Sequence, residues 1–118
     1  MSSVGNNTHL DGRVFAAAEN SENGEVSEKT RFYYHQDGRL VWAEYRGGEI
    51  AKGFLIGTCT GKSSLEFTYQ HVNNNYEIRT GKCVSEIKTA GNGRLRLHEE
   101  WQWTNGDLSS GTSVLEEI

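Results

Sequence analysis

The chain has 118 residues, enough for one domain and too few for two, and a domain of this length holds a core without disulfide staples. A net charge of −4, with 12 Lys and Arg scattered along the chain, argues against a nucleic-acid binder, because phosphate binding needs clustered cations. Hydrophobic content of 35% and mean hydropathy of −0.68 suit a thin β structure with a partly polar interior, and no run approaches the roughly 18 apolar residues of a membrane helix.

Residues 1–9 read as a flexible polar arm. They show no cationic start and no apolar stretch, so no signal peptide is expected and the chain reads as cytoplasmic. Asn6-Asn7-Thr8 fits a glycosylation acceptor, but that carries no meaning outside a secretory route. From there, 14 glycines and no proline punctuate short segments rich in β-branched and aromatic residues. Asp37-Gly38, Gly47-Gly48, Gly61-Lys62, Gly91-Asn92-Gly93 and Asn105-Gly106-Asp107 are turn chemistry, since Gly, Asn and Asp tolerate the positive φ of tight hairpins. The polar runs 20–24 and 73–75 are two further breaks.

The pattern predicts eight strands, at 10–18, 29–36, 39–46, 49–58, 64–72, 76–88, 94–103 and 109–117. The run 13–20, with Ala16-Ala17-Ala18, is the best helical alternative. Strands joined by such short loops are antiparallel sequence neighbours, because a parallel crossover needs a dozen or more residues. The expected fold is therefore all-β: a single domain, an eight-stranded antiparallel up-and-down barrel, whose closure removes both sheet edges. An incomplete barrel or a two-sheet sandwich is the structural alternative. Cys59 and Cys83 fall on non-neighbouring strands of that meander and read as reduced thiols.

Two motifs tempt and fail. Gly57-Thr58-Cys59-Thr60-Gly61-Lys62-Ser63 has three residues where a phosphate-binding loop needs four, and it leads into a strand rather than a helix. It reads as a hairpin turn. His98-Glu99-Glu100 lacks the second histidine of a zinc-protease helix, since Gln102 stands there. The four histidines show no metal-ligand spacing, so neither metal nor cofactor is expected, and His35 and His98 read as solvent-facing.

What remains is the chemistry of the presumed inward face. Alternation groups Trp42 with Glu44, Tyr69 with His71, Thr80 with Lys82, and Glu99 with Trp101 and Trp103. Charged side chains on an inward face need partners or a purpose. One account is an internal ion pair, Glu44 or Glu99 with Lys82 or Arg46. A second is a ligand pocket with Trp42, Tyr69, Trp101 and Trp103 as walls and Glu44, His71, Lys82 and Glu99 as polar anchors. A third is a one-residue phase error that turns these side chains out to solvent. The pocket reading makes the chain a non-enzymatic binder of a small molecule. An enzyme using Glu44 or Glu99 as general acid or base is one rival. A protein-interaction or homodimer module is the other.

Several runs also resemble those of a family of small bacterial proteins. They are Ser21 to Val26, Val41 to Ile50, Lys52 to Gly57, Tyr69-Gln70-His71, Arg79 to Cys83, Leu97-His98-Glu99, Trp101-Gln102-Trp103 and Ser109 to Ser113. The likeness covers most of 14–118. It implies an avidin- or lipocalin-like barrel, and many members carry the label N-acetylglutamate synthase, which implies acetyl transfer. Acetyl-CoA-dependent acyltransferases of the usual kind use a mixed α/β fold with a helix N-terminus at the pyrophosphate, whereas these residues predict strands throughout. No biotin-contact motif aligns residue by residue.

Overall fold

Strand ends fall where turn chemistry places them. The computed structural model describes residues 9–118, so most of the N-terminal arm and its Asn6-Asn7-Thr8 tripeptide lie outside the described residues. Eight strands follow one another: β1 (Val14–Asn20), β2 (Arg31–Asp37), β3 (Leu40–Gly47), β4 (Ile50–Cys59), β5 (Ser64–Asn73), β6 (Ile78–Thr89), β7 (Leu95–Trp103) and β8 (Ser110–Glu117). Each pairs antiparallel with the next, and β8 returns to β1, so the sheet closes into an up-and-down barrel. Closure leaves no unpaired edge.

The hairpins match the expected turns. Gly38, Gly47, Gly48, Gly93 and Gly106 all adopt positive φ. Gly47 is required twice over, because a Cβ there would also collide with the Lys29 carbonyl. The false phosphate loop is the β4–β5 hairpin, where the Thr60 amide donates to the Ser64 carbonyl at 2.9 Å.

Several boundaries differ from expectation: β1 runs Val14–Asn20 rather than 10–18, and β2 and β6 each begin two residues late, at Arg31 and Ile78. Residues 10–13 form a turn before β1 rather than its start, and the alanine run 16–18 is strand. Packing inside a closed sheet outweighs alanine's helix propensity here. At 76, Tyr76 takes φ 62° and ends the β5–β6 turn, so β6 begins two residues later than expected. The Asn73 side-chain carbonyl accepts from the amides of Asn75 and Glu77, which fixes that turn.

Side chains alternate in and out along the strands except beside the register shifts, at Ala17 to Glu19 of β1 and Ile50 to Lys52 of β4. The far end of the barrel is apolar, filled by Phe15, Leu65, Leu97 and Leu115, with Leu10 as a plug whose amide donates to Gln36 at 2.8 Å. Cys59 on β4 and Cys83 on β6 are buried and form no disulfide with each other; Gln36 Nε2 donates to the Cys59 sulfur at 3.6 Å, and the Cys83 thiol donates to the Val84 carbonyl at 3.6 Å. The opposite end is the mouth, and the long β1–β2 connection, residues 21–30, folds across it as a strap.

Candidate functional site

Between the apolar plug and the strap lies a cavity of about 50 Å³. Its walls are aromatic: Tyr45 from β3, Tyr69 from β5, and Trp101 and Trp103 from β7. The rings pack edge to face, with Tyr69 and Trp103 centroids 5.8 Å apart and Trp101 and Trp103 at 5.4 Å.

Glycines on the intervening strands make room for these rings. Gly53 on β4 lies opposite Tyr45 and His71, Gly81 on β6 opposite Tyr69, and Gly111 on β8 opposite Trp101. A Cβ at any of the three would overlap the facing ring. The rings therefore lie against bare backbone and cannot be displaced sideways without meeting it.

Polar groups enter at two levels. At the mouth, Glu25 of the strap accepts from His71 Nε2 at 2.8 Å, from Arg79 Nη1 at 2.9 Å and from Asn73 Nδ2 at 3.3 Å. A carboxylate only accepts, so His71 carries its proton on Nε2 and leaves Nδ1 to accept from the Tyr45 hydroxyl at 3.0 Å. Burial lowers the pKa of His71 against the opposing pull of Glu25, which keeps the ring neutral near pH 7. The Arg79 guanidinium lies 3.9 Å over the Trp103 ring, and Trp103 Nε1 donates to the Asn23 carbonyl at 3.1 Å. Asn20 Nδ2 ties down the Val26 carbonyl at 2.9 Å.

Deeper in, Glu99 is 8% exposed and accepts the Ser113 hydroxyl at 3.1 Å through one oxygen. Its other oxygen has no partner among the described residues. Burial pushes its pKa up to about 8, partly opposed by the Ser113 hydrogen bond, so it is mainly a neutral carboxylic acid at pH 7. Burial also raises the Tyr45, Tyr69 and Cys83 pKa values well above neutrality.

Of the eight residues expected as pocket walls and anchors, Tyr69, His71, Glu99, Trp101 and Trp103 line the cavity. Trp42, Glu44 and Lys82 do not. On β3 the buried set is Val41, Ala43 and Tyr45, which leaves Trp42 and Glu44 outside, with Trp42 stacked on His35 and Glu44 3.0 Å from its Nε2. On β6 the inward set is Arg79, Gly81, Cys83, Ser85 and Ile87, which puts Thr80 and Lys82 outside. The phase error is local to these two strands. The expected ion pairs of Glu44 or Glu99 with Lys82 or Arg46 are replaced by Glu25–Arg79 at the mouth. His35 and His98 are on the outer wall, as their phase predicts.

Glu25, Tyr45 and Arg79 escaped the sequence reading. Tyr45 and Arg79 follow from the opposite phase on β3 and β6. Glu25 sits in a polar loop, and its one signal was membership of the Ser21–Val26 run that carries the family likeness.

No curated protein and no solved structure matches the chain. A family model described as avidin-like protein matches residues 8–118. With that match spanning nearly the whole sequence, and a closed eight-stranded meander to go with it, the chain belongs to the avidin-like family.

Proposed function

We propose that this protein is a small-molecule-binding barrel that does no chemistry on its ligand. One observation carries the reading: a closed barrel surrounds a cavity where rigid rings meet a few convergent polar groups, the usual make-up of a small-ligand site. Tyr45, Tyr69, Trp101 and Trp103 are the walls, His71 and Glu99 the anchors. The cavity of about 50 Å³ is far below the roughly 300–1,000 Å³ of drug-sized sites. A ligand therefore enters with the strap lifted, and Glu25 is the latch.

The enzymatic alternative, acyl transfer included, now rests on Glu99, because Glu44 is bonded to His35 on the outer wall. An enzyme loses turnover in Glu99→Gln with its fold intact, whereas a binder loses affinity. A homodimer module is favoured by a different observation. Phe54 and Ile56 on the outer wall are 56% and 57% exposed, with Val84 on the same wall also exposed.

Native mass spectrometry of gently purified protein, set against its denatured mass, tests these readings together. A small bound mass that disappears on denaturation supports the cavity. A bare dimer supports the outer wall, and a bare monomer at saturating concentrations of a small-molecule library counts against both.

A further inference from the structure

Three buried polar atoms in the middle of the barrel have no hydrogen-bond partner among the described residues: the Tyr34 hydroxyl, the Ser85 hydroxyl and Glu99 Oε2. Tyr34 and Ser85 are fully buried. Ser85 and Glu99 oppose each other across β6 and β7, and Glu99 is the one of the three that lines the cavity. Each unpaired buried polar group destabilises the fold, so a barrel that only needed packing would hold apolar side chains there.

The missing partner has a definite chemistry. No lysine or arginine lines the cavity, and the cation at the mouth, Arg79, is already paired with Glu25 and stacked on Trp103. A buried carboxyl among aromatic rings attracts a cation, because ring faces are negative and the carboxylate supplies a full charge. A primary ammonium carries three N–H donors, and two unpaired oxygens face each other across β6 and β7 to accept them, Glu99 Oε2 and Ser85 Oγ. Once Glu99 ionises, at and above about pH 8, a carboxylate ligand meets it as a like charge, and a neutral amide would gain nothing from the ring faces.

We propose that the inner end of the cavity binds the ammonium head of a small primary amine, with Glu99 as counter-ion and Ser85, opposite it across β6 and β7, as a further acceptor. The proposal rests on the reading of the cavity as the ligand site. Trp101 and Tyr69 enclose the first carbons of the ligand. From Trp103 at the mouth to Glu99 the strand covers about 13 Å, which sets the depth the ligand reaches.

The groups facing Glu99 leave it as the one that changes charge on binding. Cys83 and the phenols Tyr34, Tyr45 and Tyr69 are held protonated by burial, and His71 is held neutral. Ser113 from β8 and Ser85 from β6 do not titrate, and β1 and β4 contribute Asn20 and Leu55. Glu25 and Arg79 remain paired at the mouth. Below the Glu99 pKa of about 8, an incoming ammonium expels the carboxyl proton. Affinity then falls about tenfold per pH unit, while an alkylamine, with a pKa of about 10, stays charged throughout.

The test uses four probes of matched size, butylamine, butanol, butyramide and butyrate, titrated calorimetrically into the intact protein at pH 6, 7 and 8 and constant ionic strength. Butylamine is expected to bind at least tenfold more tightly than the others at pH 8 and to weaken about tenfold per pH unit below that. It should release close to one proton at pH 6, read from two buffers of different ionisation enthalpy, and Glu99→Gln should abolish the preference. Equal or tighter binding of the alcohol, amide or carboxylate leaves the cavity reading standing and overturns the ammonium. If none of the four binds, both readings fall. Should Glu99→Gln fail to fold, the carbon-13 titration of the wild-type Glu99 carboxyl decides: saturating butylamine moves its midpoint below pH 7, and an unmoved midpoint overturns the proposal.

Discussion

Glu99 makes the stability of the barrel depend on pH in a direction that can be worked out beforehand. Its carboxyl titrates near 4.5 when exposed in the unfolded chain and near 8 in the barrel. The stability tied to its neutral form is therefore complete below pH 4.5 and is lost as pH rises through 8. Over that full span the loss is on the order of 5 kcal/mol. His71 acts the opposite way: its folded pKa is lowered, so its contribution is present above about pH 6.5 and lost as pH falls. Between pH 6.5 and 8 the Glu99 slope stands alone, and the wild type should lose about 1–2 kcal/mol, a fall of roughly 5 °C in Tm. Glu99→Gln keeps the shape of the neutral acid and an oxygen for Ser113, but does not titrate. Its advantage over the wild type should widen by about 3 kcal/mol from pH 5 to pH 8. Urea unfolding of both proteins across pH 5–8.5 measures this. A wild-type curve that is flat from 6.5 to 8, or a variant that follows the wild-type slope, refutes the neutral carboxylic acid.

Glu25→Gln weakens the charge-assisted bonds to Arg79 and His71, so it should cost about 1–3 kcal/mol and speed amide hydrogen exchange within residues 21–30. Unchanged exchange would mean that Asn20 and Trp103 hold the strap by themselves. Gly81→Ala drives a methyl into the Tyr69 ring and should destabilise by about 1–3 kcal/mol. Adding Tyr69→Ala should return part of that loss in a double-mutant cycle, and strictly additive costs would deny the contact. Lys82→Ala on the outer wall should change stability by less than about 0.5 kcal/mol and leave any bound mass in native spectra unaltered. Loss of that mass would return Lys82 to the site.

The meander was legible because its punctuation is local. Gly38, Gly47, Gly48, Gly93 and Gly106 each need positive φ, and that need can be read from one or two residues. The inward face of β7 was legible for a similar reason, since Leu95, Leu97, Trp101 and Trp103 outweigh every polar residue between them. On β3 and β6 the hydrophobic contrast is nearly symmetrical. Trp42 competes with Tyr45 on β3, while the true inner face of β6 carries Arg79, Gly81 and Ser85 beside Cys83 and Ile87. Alternation by hydropathy picks the face with the heavier apolar residues. It fails where the inner face is small because a neighbour's ring fills the space. Glu25 was illegible for another reason, since a loop has no period and its reach across the mouth depends on where β1 and β2 end.

The register shows a rule that hydropathy misses. Strands β3, β5 and β7 supply the rings that lie on bare backbone, Tyr45, Tyr69, Trp101 and Trp103, and β4, β6 and β8 supply the glycines beneath them, Gly53, Gly81 and Gly111; Phe32 on β2 adds a ring that stacks on Tyr45 instead. A glycine inside a strand weakens it, and here each loss is offset by a ring packed flat on the backbone. Rings fixed this way have little rotamer freedom left to lose when a ligand arrives. The part of the site free to rearrange is then the strap, held by the Glu25 latch, Asn20 and the Trp103 indole. Residues that set affinity and residues that set the rate of entry should therefore separate: substitutions in the ring–glycine pairs change how tightly a ligand is held, and substitutions at Glu25 change how fast it comes and goes.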